Sequence, residues 1–273
     1  MKNISISKKG ILKLINNINP QKVEGPDNIA GKILKENADI CSDILTIIYK
    51  QSVETGQVSL DWNHANVTPV YKKGDKHHPA NYRPISRTCI FCKLLEHVMA
   101  SNMMEHLESN NIFYEMQHGF RSNRSCESQI ISLAHQLAQN NDNNIQTDLI
   151  IMDIAKAFEK VPHKRLISKL KYHGISDQIT IWITSFLANR TQTVLFENTT
   201  SENIAVTSSV PQGTVLGPIL FLVCINDPPD YIKHSQIRLF ADDSIIYRPI
   251  KTQAECIKPQ EDLNQLPNGN RIG

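Results

Sequence analysis

The sequence predicts an α+β fold. Its 273 residues are 40% hydrophobic, which is enough apolar material for one large domain or two lobes. Segments with helical spacing of apolar residues are interleaved with short β-branched segments in an irregular order. Regular β-α-β alternation would indicate a doubly wound parallel sheet, so the irregular order favours α+β. We find no internal repeat and no long linker.

The first half is predicted to be mainly helical. Residues 28–53 carry isoleucines and leucines at intervals that suit one or two amphipathic helices, and a longer helix is predicted over residues 90–108. Another is predicted over residues 125–139, with Ser125 as its N-cap. Its inward-facing residues are predicted to be Ile130, Ile131, Leu133, Ala134 and Leu137. The strand "ANVTPVYKK" (65–73) precedes these two helices.

The second half mixes strands with helices. Residues 148–154, "DLIIMDI", are predicted to form a buried strand with Asp153 near its end. The next elements are a helix between Pro162 and Gly174, a helix over 177–190, a hairpin from "TQTVLF" to "IAVTSS", and an apolar helix after the turn "VPQG". Residues 239–247, "LFADDSIIY", are predicted to form a second hairpin.

Charge and composition restrict the class of protein. The formal net charge of +2 excludes a uniformly basic surface, so any phosphate-binding surface must be local. The local basic clusters are "YKKGDKHH" (71–78), "YRPISR" (82–87), "FRSNR" (120–124) and "HKRLISKLK" (163–171). Each cluster alone also fits a solvated face. The chain lacks a signal peptide and an apolar run long enough to span a bilayer, so we expect a soluble intracellular protein with no membrane contact.

The cysteines favour structural thiols. Six occur at irregular spacings, and Cys89 and Cys92 form a C-x-x-C pair. A zinc knuckle formed by this pair and His97 would need a cysteine as fourth ligand at position 102, where Asn102 stands, and the intervening apolar residues have helical spacing. Both thiols are therefore predicted to be buried in the core.

Three aspartates pose the main functional question. Asp242 and Asp243 lie in the second hairpin, and Asp153 lies at the end of another apolar strand. If these strands are neighbours in one sheet, the three carboxylates meet at one edge, where they must reach solvent or hold a cation. Hard oxygen ligands select Mg²⁺ or Mn²⁺. The set therefore predicts a divalent-metal site of the two-metal kind that promotes displacement at phosphorus.

The two adjacent aspartates are not expected to be equivalent. Neighbouring residues in a strand point to opposite faces, and we expect Asp242 to bridge with Asp153 while Asp243 is the weaker or outer ligand. Two adjacent aspartates alone also fit a simple hairpin tip.

Five sequence blocks in one order decide between these interpretations. They are "NYRPIS" (81–86), "QHGFRSNRSCESQI" (117–130), "MDIAKAFEKVPH" (152–163), "VPQGTVLGPILF" (210–221) and "FADD" (240–243). In order and approximate spacing, the set resembles the reverse transcriptase domain of non-LTR retrotransposons of the LINE and jockey-like kind. The resemblance runs from about Gly25 to about Gln265.

The resemblance implies a fold and a reaction. The fold would be the fingers and palm of a right-hand polymerase with the thumb missing. Its regions would be an N-terminal helical extension (1–60), a fingers-like region (61–145), a palm with the catalytic carboxylates (146–250), and a truncated post-catalytic helix and tail (251–273). The reaction would be attack of a DNA primer 3′-hydroxyl on the α-phosphorus of a deoxynucleoside triphosphate, directed by an RNA template, with Mg²⁺ or Mn²⁺ as cofactor.

The resemblance also assigns roles to residues of the reaction centre. Asp153, Asp242 and Asp243 would be the catalytic metal ligands. Phe158 would exclude a 2′-hydroxyl from the incoming sugar, although a core phenylalanine has the same apolar character. Gln212 would hydrogen-bond near the nascent base pair. Gly213 would let the backbone approach a ligand closely, although an ordinary turn before a helix also fits.

Basic residues are assigned to phosphate groups by the same resemblance. Arg83 and Lys73 would hold the triphosphate, with Arg83 ranked first because its guanidinium can bind phosphate in a bidentate manner. Arg121 and Arg124 would contact the template backbone, where positive charge gives affinity without sequence preference.

The sequence departs from the family pattern at several positions. Ser209 stands where glycine is common, Glu159 where aspartate is usual, and Arg87 where an apolar residue is usual. Pro267–Gly269 is predicted to break the last helix. The family's later palm segment, thumb and endonuclease have no counterpart in this sequence, so we expect a fragment of a longer polyprotein or a decayed copy that binds its template weakly. A nuclear site of action would follow from family analogy alone.

Two other functions use the same residues. One is a remnant that binds nucleic acid but does not polymerise. The other is a metal-dependent phosphohydrolase, for which the "NYRPIS" and "PQG" blocks have no evident use. A template requirement would distinguish a polymerase from a hydrolase.

Overall fold

The helices and strands follow one another in an irregular order. A computed structural model describes residues 1, 4–154, 156–197 and 199–266. The α-helices are α1 (Lys8–Asn16), α2 (Gly31–Glu36), α3 (Ala38–Thr55), α4 (Ile90–Ser109), α5 (Cys126–Asp142), α6 (His163–Tyr172), α7 (Asp177–Leu187), α8 (Gly217–Cys224), α9 (Pro228–Tyr231) and α10 (Lys258–Gln265). The strands are β1 (His64–Tyr71), β2 (Tyr82–Arg87), β3 (Gln146–Asp153), β4 (Arg190–Phe196), β5 (Thr199–Thr200), β6 (Ile204–Val206), β7 (Gln236–Phe240) and β8 (Asp243–Ile250). The predicted α+β fold is confirmed.

The chain forms two compact units, and each is built from two stretches of sequence. The first unit contains Met1–His106 and Pro162–Ile219, and the second contains Leu107–Val161 and the residues from Leu220 onward. The predicted fingers-like and palm regions follow chain order instead. Each of these regions therefore contributes residues to both units.

The first unit contains a mixed sheet and a helical core. In the sheet, β1 pairs with β2 in antiparallel fashion and with β4 in parallel, and β4 also pairs with β5 and β6. The rings of Trp182 and Phe186 on α7 are stacked with their centroids 5.4 Å apart. The indole N–H of Trp182 donates to Ser52 Oγ of α3 at 3.0 Å, so burial of this large side chain leaves no unpaired donor.

The second unit contains an antiparallel sheet in the order β3-β8-β7. Alternate residues of β7 and β8 form a buried hydrophobic cluster of Ile237, Leu239 and Ile246. Ile150 and Met152 of β3 pack against this cluster. Because side chains alternate along a strand, Asp153 lies on the opposite face of β3 from Ile150 and Met152, together with the exposed Ile151, so β3 is not the buried strand that the sequence predicted. The core on one face thus fixes the face of the sheet on which Asp153 lies.

Helix α5 begins where the sequence predicted. The Ser125 hydroxyl accepts from Ser128 N, and Ser128 Oγ accepts from Ser125 N, which forms a reciprocal capping box. The predicted N-cap is therefore confirmed.

The buried face of α5 differs from the prediction. Three of the residues predicted to face inward are exposed: Ile130, Ile131 and Ala134. Gln129 and Asn140 are buried instead. The amide of Gln129 donates to the carbonyls of Met116 and Leu239, and that of Asn140 donates to Thr147 Oγ1. The spacing of apolar residues predicted the wrong buried face for α5, because the hydrogen-bonded side chains of Gln129 and Asn140 occupy inward positions.

The end of α7 also differs from the prediction. The helix expected over 177–190 stops at Leu187, and Arg190 already begins β4. The C-cap Ala188 is already extended, with φ −81° and ψ 155°, which ends the helix, and Asn189 then adopts a left-handed φ of 51° that asparagine tolerates. The predicted break at Pro267–Gly269 lies outside the described residues.

The cysteines of the C-x-x-C pair are buried, as predicted. Cys89 Sγ donates to a carboxylate oxygen of Asp27 at 2.8 Å. Burial and the neighbouring carboxylate raise the pKa of the Cys89 thiol to about 12. Among the described residues, no helix combines the length and the apolar character needed to cross a membrane.

Candidate active site

Asp153 and Asp243 lie directly opposite each other in the sheet of the second unit. The apolar run of β3 ends at Asp153, β8 begins at Asp243, and these two residues are cross-strand partners. Side chains opposite each other in an antiparallel pair project from the same face. The two aspartate-bearing strands are thus neighbours in one sheet, which is the condition on which the expected meeting of the carboxylates depends.

Asp242 lies in the tight turn that joins β7 to β8. Phe240 pairs with Asp243, so the loop between the strands has only two residues, Ala241 and Asp242. Ala241 has a φ of 54°, a conformation that two-residue hairpin loops require and that alanine adopts at a cost. The bridging role expected for Asp242 remains a prediction, and it is Asp243 that lies opposite Asp153.

Partial burial and the charges of the two neighbouring carboxylates act on Asp243 in the same direction. Burial raises the pKa of Asp243, and the charges of Asp242 and Asp153 raise it further. Asp153 and Asp243 are exposed and Asp242 is half-buried, so all three side chains reach solvent. This arrangement avoids the cost of burying unpaired charges.

The donor set suits a hard divalent cation. The three groups are carboxylates, which Mg²⁺ and Mn²⁺ prefer, and a cation would relieve the repulsion that raises the pKa of Asp243. Within the described ranges, no three His, Cys, Asp or Glu side chains already converge closely enough to enclose a metal ion. The residue types and the negative charge of this set therefore fit Mg²⁺ or Mn²⁺, whereas the three carboxylates do not form a coordination geometry in this conformation.

Phe158 lies in a row of aromatic rings in the second unit. Its ring stacks on Phe221 with a centroid distance of 4.2 Å, and it meets Phe120 edge to face at 6.1 Å. Phe158 is half-buried and begins a short 3₁₀ helix. Packing alone accounts for an aromatic residue here, and its role against a 2′-hydroxyl remains a prediction.

The loop with Gln212 and Gly213 packs against β2 in the first unit. Ser86 N donates to Gln212 O at 2.8 Å. Gly213 has a φ of 99°, and a Cβ at this position would lie 2.5 Å from Ser86 O. The close approach of β2 therefore requires glycine at position 213. This is a structural reason for the glycine, in addition to the predicted close approach to a ligand.

Arg83 and Lys73 belong to the β1–β2 hairpin of the first unit. Arg83 lies on β2 opposite Val70, three residues before Ser86, and Lys73 follows the end of β1. Both side chains are exposed. Arg83 thus belongs to the same strand, β2, on which the Gln212 loop packs. The exposed side chains of Arg83 and Lys73 are accessible to an anionic ligand from solvent.

Arg121 and Arg124 differ in how far their hydrogen-bonding capacity is used. Arg121 binds the Glu108 carboxylate through Nε and Nη2 at 2.8 and 2.6 Å, and its Nη1 donates to two backbone carbonyls. The hydrogen bond that the described residues show for Arg124 runs from Nη1 to His118 Nε2 at 3.0 Å. Template contact by either arginine remains a prediction, and Arg124 is the better placed of the two.

Two buried polar residues, which the sequence does not mark as functional, hold the Gln212 loop and the turn before Asp242. Gln117 contacts the turn before Asp242, and Glu96 of α4 accepts from the N–H groups of Val215 and Leu216 at 2.7 and 3.0 Å. Glu96 lies at a position of α4 that is fully buried. The sequence shows Glu96 as an ionisable residue among apolar residues at helical spacing, which could have indicated a buried polar role. The helical pattern does not identify the groups that Glu96 binds.

The comparisons with known proteins agree with the motif order. A family model described as "Reverse transcriptase (RNA-dependent DNA polymerase)" matches residues 70–265. The chain is 29% identical over 226 residues to the Drosophila melanogaster "Probable RNA-directed DNA polymerase from transposon BS", covering 80% of this chain and 24% of that protein. It is 29% identical over 240 residues to the corresponding protein of transposon X-element (83% and 26%), and 23% identical over 256 residues to the "RNA-directed DNA polymerase from mobile element jockey" (91% and 28%), both from the same fly.

These matches settle the family. The chain spans about a quarter of the length of these relatives. The family match covers more than half of the chain and includes all five blocks of the motif set. The resemblance to jockey-like, non-LTR elements is confirmed by the relatives. The chain belongs to the reverse transcriptase (RNA-dependent DNA polymerase) family.

Proposed function

We propose that this chain is an RNA-directed DNA polymerase domain that adds deoxynucleotides to a primer 3′-hydroxyl. The observation that carries the proposal is the cross-strand pairing of Asp153 with Asp243, beside Asp242 in the same hairpin. Three carboxylates at one edge of a sheet suit phosphoryl transfer, which needs positioning and charge stabilisation but no side-chain nucleophile.

The proposed reaction forms a bond between the primer 3′-oxygen and the α-phosphorus and breaks the bond to pyrophosphate. Asp153, Asp242 and Asp243 would hold two Mg²⁺ or Mn²⁺ ions, which when bound lower the pKa of the hydroxyl and neutralise charge on the leaving group. Phe158 would limit the space beside the sugar and so favour deoxynucleotides.

The basic residues would bind and orient the substrates. Arg83 and Lys73 would hold the triphosphate, and Gln212 would contact the nascent base pair from a loop that Gly213 allows to lie against β2. Arg124, and to a lesser extent Arg121, would contact the phosphates of an RNA template.

The regional assignment follows the same proposal. Residues 61–145 would act as fingers and 146–250 as palm, between an N-terminal helical extension (1–60) and the segment 251–273. The match to about a quarter of each relative supports a domain that works within a longer polyprotein.

The direct test is primer extension on an RNA template with Mg²⁺ and deoxynucleotides at low salt. We expect template-dependent extension by the wild type and its loss in Asp242→Ala, by about 10³-fold or more, because loss of a direct ligand should cost at least as much as loss of one charge-stabilising donor. Asp142→Ala, which removes an exposed aspartate at the end of α5, is the matched control and should extend normally.

Three outcomes would contradict the proposal. Primer extension that persists in Asp242→Ala would mean that the carboxylate of Asp242 is not needed for the reaction. Release of nucleotide or phosphate without primer and template would indicate a phosphohydrolase. Tight hybrid binding by a folded wild type that never extends a primer would indicate a binding remnant.

A further inference from the structure

The side chain of Gln117 connects two loops that are far apart in sequence. Its Oε1 accepts from Gly119 N at 2.8 Å and from Ala241 N at 2.9 Å. The residue is only 2% exposed. A buried amide oxygen that accepts two backbone N–H groups is held in one orientation, because losing either bond would leave a buried donor unpaired.

The backbone around Gln117 is also fixed against β7. His118 N donates to Leu239 O at 2.9 Å, and Leu239 N donates to Met116 O at 3.0 Å. Gln129 of α5 donates to both of these carbonyl oxygens. The segment that carries Gln117 is therefore held by a strand and a helix, and it can serve as a rigid support.

Gly119 brings this support into direct contact with the turn. A Cβ at position 119 would lie 2.2 Å from Ala241 N and 2.9 Å from Ala241 Cα. No real side chain tolerates such distances, so the close contact requires glycine. The backbone of residue 119 thus lies directly against the turn that precedes Asp242.

The turn needs such support because its conformation is unfavourable. Ala241 has a φ of 54°, and the left-handed region is sterically unfavourable for a residue with a Cβ. The N–H that Gln117 binds belongs to this same residue. Asp242 and Asp243 follow immediately, so a relaxation of Ala241 would reorient both carboxylates.

We propose that Gln117 is a positioning residue for the reaction centre, whose side-chain oxygen holds the Ala241–Asp243 turn in the conformation that presents both carboxylates beside Asp153. The role rests on the proposed polymerase function for its activity readout. Gln117 does not touch the reacting atoms, and it acts through the backbone of Ala241.

The test compares variants that keep or remove the acceptor oxygen. Gln117→Met has a similar volume but no oxygen, and Gln117→Glu keeps an oxygen at the same distance from the backbone. The exposed Gln139 on α5 provides the matched control Gln139→Met. For each protein we would measure Mn²⁺ binding by water-proton relaxation, kcat and KM in primer extension, and unfolding by urea.

We expect Gln117→Met to lose about tenfold in Mn²⁺ affinity and about 10–100-fold in kcat, the range typical of groups that orient metal ligands. KM for the deoxynucleotide should change little. Gln117→Glu should retain most of both properties, and Gln139→Met should match the wild type. If Gln117→Met does not fold, Gln117→Asn, which shortens the side chain by one methylene, should show the same losses.

The outcomes separate this inference from the proposed function. Weaker Mn²⁺ binding by Gln117→Met, with no primer extension even by the wild type, would support the positioning role and contradict the polymerase. Wild-type kcat and Mn²⁺ affinity in a folded but less stable Gln117→Met or Gln117→Asn would overturn the positioning role and leave the polymerase intact. Absence of Mn²⁺ binding by the wild type would overturn both.

Discussion

Ser209 adopts a backbone conformation that glycine favours. Its φ is 118°, and its carbonyl accepts from His163 Nε2 at 2.8 Å, so the residue is fixed in this conformation. The family resemblance places glycine here, and the left-handed region explains that preference. The serine therefore retains strain at the entrance to the loop with Gln212.

Ser209→Gly is expected to stabilise the protein by about 1 kcal/mol, because relief of strain should exceed the extra entropy of glycine in the unfolded chain. Urea unfolding would measure the change. The matched control is Thr207→Gly, at an exposed position whose φ is not positive, which should lose stability. A loss in Ser209→Gly equal to that in Thr207→Gly would contradict the strain argument.

Asp243 is expected to make the stability of the metal-free protein fall as pH rises. Its pKa lies above the ordinary value of 3.8 because of burial, Asp242 and Asp153. Between the ordinary and the raised pKa, the folded chain keeps a proton that the unfolded chain has lost, so deprotonation costs folding free energy across this interval.

Asp243→Asn should therefore raise Tm at pH 7, by about 1 °C because exposed charges are screened, and should not raise it at pH 3. Thermal melts without divalent ions at the two pH values would measure this difference. Asp142→Asn is the control for loss of an acidic residue in general. A higher Tm at pH 3 alone would reverse the sign and contradict the assignment.

At the scale of elements, Glu96 joins α4 to the start of α8. Burial raises the pKa of its carboxyl, while the N–H groups of Leu216 and Val215 and the charge of Arg190 oppose that shift. Arg190 is itself 3% exposed and donates to Phe186 O. The carboxylate thus satisfies backbone donors that precede α8 and provides a counter-charge for a buried guanidinium.

Glu96→Ala is expected to lower the free energy of unfolding by about 3–5 kcal/mol, because it leaves two N–H groups without their acceptor and removes a negative charge near the buried guanidinium of Arg190. Glu96→Gln keeps an acceptor oxygen and should lose clearly less. The exposed Glu105 on the same helix gives the control Glu105→Ala, with a change within about 0.5 kcal/mol. Equal losses in the Ala and Gln variants would mean that the charge, and not the hydrogen bonds, is what matters.

The sequence predicted elements with local patterns better than contacts between distant segments. The apolar run before Asp153 and the hairpin around Asp242 are local, so each could be predicted, whereas the pairing of Asp153 with Asp243 joins distant segments and could only be assumed. Gln117 and Glu96 bind backbone groups 124 and 119 residues away, and nothing in their own neighbourhood identifies those partners. The inward face of α5 was mispredicted for a related reason, since Gln129 is buried by hydrogen bonds to another segment.

At the scale of the whole molecule, the near balance of charge limits how the proposed nucleic-acid substrate could bind. With 29 basic and 27 acidic residues, the protein has no general positive field, so affinity must come from a few local contacts. Each phosphate contact releases counterions, and the dependence of affinity on salt therefore counts those contacts. The same count can distinguish an arginine that binds template from one that supports the fold.

Arg124→Ala is expected to reduce the slope of log affinity against log salt by about 1, measured by fluorescence anisotropy with an RNA–DNA hybrid. Arg121→Ala should leave the slope nearly unchanged and instead lower the free energy of unfolding by about 1–2 kcal/mol, because its guanidinium is already engaged by Glu108 and two carbonyls. Lys50→Ala, an exposed change on α3, controls for the loss of one positive charge. Equal slope changes for the two arginines would mean that Arg121 gives up Glu108 on binding. No change in any variant would place the nucleic-acid surface away from the "FRSNR" cluster.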